Sequence, residues 1–134
     1  DVARLYRIKF FKLYCLNMTW IPIFSISSQD FDNDLNLLKS IFNEFEEKCK
    51  VENGYKLSSE AEFAMGWWFY DVFVRAEFIK KLVEIAHLSN RSVKDERDIM
   101  KIIQKNFKQN NSIARVKIHG DKPFMSRYWS WLMK

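Results

Sequence analysis

Only two histidines, His87 and His119, occur in the chain, so a His–His acid–base pair is the one histidine chemistry it could support. His87 falls in the last turn of a helical pattern, where the helix terminus favours a cation, and His119 stands in a turn beside Asp121. Neither position points to catalysis. Asp30-Phe-Asp-Asn-Asp34 opens like a calcium loop, but the sixth and twelfth places, which need Gly and a bidentate Glu, hold Leu35 and Ile41. Helix capping and favourable charge at a helix N-terminus explain these aspartates better. Cys15 and Cys49 belong to no C-x-x-C or Cys/His cluster, which predicts two thiols in a reducing, intracellular compartment. G-x-S-x-G, Walker, H-E-x-x-H and G-x-G-x-x-G patterns are all absent. The expectation is therefore no catalytic residue, no metal and no cofactor.

Binding chemistry is better represented. The net charge of +5 is uneven, and residues 101–134 carry eight basic side chains against one acidic. Lys105, Lys108, Arg115, Lys117, Lys122 and Arg127 are spaced to neutralise phosphates, while Trp129 and Trp131 among them offer flat rings on which bases stack. Asp71 and Arg75 interrupt an apolar stripe four residues apart, the favourable spacing for an intrahelical ion pair roofed by aromatic rings. In the alternative, Arg75 faces a groove and takes a carboxylate or phosphate from a partner.

The elements that must position these residues follow from pattern. With 134 residues, 48% hydrophobic and 16% aromatic, with 3 Gly and 2 Pro, the chain is expected to fold as one domain over 1–134 with a proper core. Its longest uncharged stretch, Leu13 to Gln29, holds Asn17, Thr19, Pro22 and three serines, and predicts no membrane span. Tyr6, Ile8, Phe10, Tyr14 and Leu16 alternate as in a strand, with a helix from Val2 to Tyr14 as the rival reading, and Trp20 to Ser27 continues in the strand vein with Pro22 marking an edge. Leu35, Leu38, Ile41, Phe42, Phe45 and Cys49 recur at helical steps. Ser59-Glu-Ala-Glu62 has the form of a capping box, which predicts a long central helix to about Leu88 with Gly66 admitting a close neighbour. Ser92 and Asp95 precede the stripe Ile99, Ile102, Ile103 and Phe107. Ser112 to Ile118 alternates, while in the tail Met125, Arg127, Trp129, Trp131 and Met133 suit a returning strand and Phe124, Tyr128 and Trp131 suit a helix starting at Pro123, with the strand the leading reading.

The expected fold is α+β: three helices (about 33–49, 59–88 and 93–108) on a small antiparallel sheet built from the N- and C-terminal segments, with an all-α bundle as the alternative. A recognition helix followed by a basic hairpin has the layout of a winged helix, an analogy that does not settle function. The leading expectation for function is a non-enzymatic module contacting RNA or DNA through the basic, aromatic C-terminal third. The second is a protein-docking module meeting an acidic surface, as an inhibitor, an immunity protein or an accessory subunit of a larger complex. A small nuclease using His119 is third.

Overall fold

The computed structural model describes residues 19–120. In chain order they form β1 (Trp20–Ser28), α1 (Phe31–Cys49), β2 (Tyr55–Leu57), β3 (Glu62–Ala64), β4 (Trp67–Arg75), α2 (Ala76–Ser89), α3 (Glu96–Gln109) and β5 (Arg115–Ile118). The strands make one five-stranded antiparallel sheet in the order β2-β4-β1-β5, with β3 pairing the edge of β4 that β2 also uses. This is a small α+β fold, and it overturns the expected architecture. The sheet is assembled mainly from internal segments, and its presence excludes the all-α alternative. The strands expected from Leu5 to Leu16 and from Met125 to Met133 lie outside the described residues.

The main correction is the long helix placed at 59–88. Its first half is the β3–β4 hairpin, and only Ala76–Ser89 is helical. The segment Trp67–Arg75 is rich in aromatic and β-branched residues, which suit a pleated surface. Tyr70, Val72 and Val74 are buried on one face, and Phe69, Asp71, Phe73 and Arg75 alternate with them on the other. An apolar run without a clean period is compatible with either element, and here cross-strand pairing with β1 along the whole of β4 decides for the strand. Ser59-Glu-Ala-Glu62 therefore caps no helix. Gly66 has φ +82 and Met65 φ +54, and Ala64 pairs with Trp67, so the two residues form a tight turn of the kind that needs positive φ at both places.

Three helices cover one face of the sheet. Phe24, Ile26, Val72, Val74 and Val116 from the strands share one core with Leu38, Phe42, Phe78, Ile79, Ile99, Ile103 and Phe107 from the helices. Phe42 sits at the centre, with ring centroids 6.4 Å from Phe24, 5.0 Å from Tyr55 and 6.4 Å from Phe78. Gly54 has no side chain because none fits: a Cβ there would lie 2.7 Å from the Phe78 ring. β1 is an interior strand rather than an edge, and it accommodates Pro22 at a bulge between Pro22 and Phe24, with β5 pairing only from Phe24 onward. α3 starts at Glu96, capped by Asp95 in a reciprocal box with Asp98, whereas Ser92 bonds Asn90 in the preceding turn.

Two carboxylates, Asp34 and Glu96, are buried with the core. Asp34, in the first turn of α1, is 1% exposed and accepts hydrogen bonds from Ser28 Oγ (2.5 Å) and Ser112 Oγ (2.6 Å), joining α1, β1 and the α3–β5 connection. Burial, with the Asp34 charge beside it, pushes the Tyr70 hydroxyl far above its ordinary value.

Candidate functional site

Among the described residues no element covers the second face of the sheet, and the alternation of the strands sets what it displays. Residues paired directly across an antiparallel sheet project to the same side. Lys117, Ser25 and Asp71 therefore form one row across β5, β1 and β4, and Arg115, Ser27, Phe69 and Glu62 form the next across β5, β1, β4 and β3. Because the middle strand contributes only serines, the rows enclose a trough. Its floor is hydroxyl-bearing, one wall is cationic, and the other is made by Phe69 and Asp71. Phe69 is 41% exposed, unusual for a ring in mid-strand. The depression over this floor holds about 490 Å³, with Ser58, Glu60 and Glu62 on its far rim.

Asp71 is held in place from three sides. Ser25 Oγ donates to its Oδ1 at 2.9 Å, His119 Nδ1 lies 3.7 Å from the same oxygen and 3.3 Å from Ser25 Oγ, and the Asp71 backbone N–H donates to Ser58 Oγ at 3.1 Å. The pair expected within a helix is thus replaced: along a strand Asp71 and Arg75 stand about 13 Å apart, at roughly 3.3 Å per residue. Arg75 stacks its guanidinium 4.3 Å from the Trp20 ring and donates from Nε to the Asn53 carbonyl. Lys56 approaches the same indole at 5.0 Å, so Trp20, Lys56, Phe73 and Arg75 form a cation–aromatic cluster at that end of the face.

A second depression, of about 500 Å³, lies between α3 and the β5 edge and is lined by Gln104, Lys108, Ser112, Ile113, Arg115 and Lys117. Its edge is closed by one side chain. Gln104 Nε2 donates to the Ala114 carbonyl at 2.9 Å, and its Oε1 accepts the Val116 N–H at 3.0 Å, which meets the outward groups of β5 as a neighbouring strand would. The two depressions share Lys117.

Of the basic residues singled out in the sequence, Lys108, Arg115 and Lys117 converge on this edge, and Arg115 also reaches across the sheet to within 6.0 Å of the Trp67 ring. Lys105 is exposed on α3 but does not line the depression. Arg75 is at the opposite end of the face. Lys122, Arg127, Trp129 and Trp131 lie outside the described residues. His87 has a structural role, its Nδ1 2.6 Å from the Val93 carbonyl. Among the described residues no group of three His, Cys, Asp or Glu side chains could hold a metal ion, and no helix is long and apolar enough to cross a membrane. Sequence reasoning missed Ser25, Ser27, Phe69 and the part played by Asp71. The available signal was Phe24-Ser-Ile-Ser, whose alternation leaves one face of a strand without bulk. Comparison of the chain with protein-family models, curated proteins and solved structures found no match.

Proposed function

We propose that the chain is a non-enzymatic module that binds single-stranded nucleic acid across the β5 side of its open sheet face. The observation that carries this reading is the convergence of Lys108, Arg115 and Lys117 on one edge, beside a serine-floored trough walled by an exposed Phe69. Cations neutralise phosphates and release counterions, aromatic faces stack on bases of any identity, and Phe69 stands two inter-strand steps, about 9–10 Å at the backbone, from Arg115 in the same row. Within the described residues, this reading takes its phosphate contacts from the α3–β5 edge and its stacking surface from the sheet face.

Fluorescence anisotropy of a labelled deoxythymidine dodecamer tests this. Three phosphate contacts give a slope of about −2 in log K against log salt, so affinity falls roughly 15- to 20-fold between about 50 and 200 mM salt. The triple variant Lys108→Ala, Arg115→Ala, Lys117→Ala flattens that slope, and absence of binding by the unaltered protein at the lower salt refutes the proposal. A protein-docking role is the second reading, supported by the β3–β4 hairpin, where Met65 is 99% and Phe63 60% exposed and Phe63 packs on Trp68. Pull-down with a Met65→Ser, Phe63→Ser variant as control separates it from the first.

A further inference from the structure

We infer that the trough over Ser25 and Ser27 is a base pocket selective for guanine, a reading that rests on the nucleic-acid proposal above. The lining explains why this depression takes a base rather than a phosphate. Apart from Lys117, its charged groups are the carboxylates of Glu60, Glu62 and Asp71, which repel a phosphate, and its serine hydroxyls accept as readily as they donate. Phosphates belong instead to the neighbouring edge with Lys108, Arg115 and Lys117.

Selectivity comes from the row Lys117–Ser25–Asp71. A cation and a carboxylate face each other across one serine, two inter-strand steps or about 9–10 Å apart at the backbone. Asp71 is oriented by Ser25, whose Oγ donates to Oδ1 with His119 Nδ1 3.7 Å from the same oxygen, while Oδ2 carries no hydrogen bond among the described residues. A flat ring stacked on Phe69 would present one edge to Asp71 and the other to Lys117. Guanine has adjacent N1–H and N2–H donors on one edge and the O6 and N7 acceptors on the other, which matches carboxylate and ammonium together. Uracil and thymine offer a single N3–H between two carbonyls, which the Asp71 carboxylate repels. Adenine and cytosine each present one amino group beside an acceptor nitrogen, so they satisfy only part of the pattern.

The experiment titrates the full chain with labelled uridine nonamers whose central nucleotide is guanosine, inosine, adenosine, cytidine or uridine. Guanosine at the centre tightens binding about tenfold over uridine, one good paired contact, and inosine, which lacks the N2 amino group, recovers only part of that gain. Asp71→Asn abolishes the preference, bringing the guanosine- and uridine-centred strands to within twofold of each other. Ser25→Ala, which leaves the carboxylate charge but frees its orientation, reduces the preference. Equal affinity for all five centres, within twofold, overturns the guanine pocket and leaves the nucleic-acid reading standing. No binding of any strand overturns both. Guanosine 5′-monophosphate binding as tightly as the guanosine-centred strand would retain the pocket but assign it to a free nucleotide, overturning the module's proposed function.

Discussion

Gln104 is the side chain whose removal tests most directly how the edge of this sheet is protected. Its amide makes two hydrogen bonds to β5, to the Ala114 carbonyl and from the Val116 N–H, and both residues are buried, at 1% and 6% exposed. Gln104→Leu keeps the bulk and removes both partners. A buried polar group left unsatisfied costs about 1–3 kcal/mol, and water reaching the sheet edge offsets part of that, so the expected loss is about 2 kcal/mol. At a domain of this size, that lowers Tm by roughly 8 °C. Urea unfolding followed by far-UV circular dichroism measures the free energy, and amide exchange at Val116 locates it: the N–H is protected in the parent and loses that protection in the variant. The bare edge should also associate in a concentration-dependent way, since unpaired strand groups recruit other strands. A change below about 0.5 kcal/mol with Val116 still protected would show that the edge needs no cover from Gln104, and the account of β5 given above would be wrong.

Four further outcomes concern the fold. Met65→Asn raises stability by about 0.5–1 kcal/mol, because Asn tolerates the left-handed conformation that Met65 adopts before Gly66, and thermal unfolding reads it directly. Gly54→Ala lowers stability by about 1–3 kcal/mol, since the added carbon meets the Phe78 ring at 2.7 Å and that ring is locked in the core. Asp95→Ala removes the N-cap of α3 and costs about 1 kcal/mol at neutral pH. The same box is sensitive to acid. The Lys94 N–H donating to Asp98 is the largest influence; burial, the next largest, opposes it, and with smaller help from the Asp95 N–H and from Lys101 and Lys94 the Asp98 carboxyl is held below the ordinary aspartate value. The folded value is the lower one, so this stabilisation is complete above the ordinary aspartate value of about 4 and is lost as the pH falls below it. Stability of Asp98→Asn should therefore lack that part of the acid dependence.

Much of the helical architecture could be read from residue spacing. Leu38, Ile41, Phe42, Phe45 and Cys49 repeat at three- and four-residue steps and are all buried along α1. Ile99, Ile103 and Phe107 do the same in α3. The basic character of the C-terminal third was equally visible. The strand β4 was not, because its run of aromatic and branched residues lacks a distinguishing period and its outward face is half-covered rather than polar. Helix and strand readings of such a segment differ only in what lies beside it. The Ser59–Glu62 pattern deepened the error by supplying a plausible helix start where the chain turns into a hairpin.

Charge, aromatic content and the failure of each catalytic or metal-binding motif are properties of composition and order, and the sequence by itself determined them. It also determined that Asp71 and Arg75 interrupt an apolar stretch. What those two residues do was decided only by tertiary structure, since strand pairing turned a distance of one helical turn into about 13 Å and gave Asp71 new neighbours in Ser25 and His119, 46 and 48 residues away in sequence. The trough has the same origin. Phe69, Ser27 and Arg115 stand in one row because three strands from distant parts of the chain share a register, and register depends on which face of each strand the helices bury.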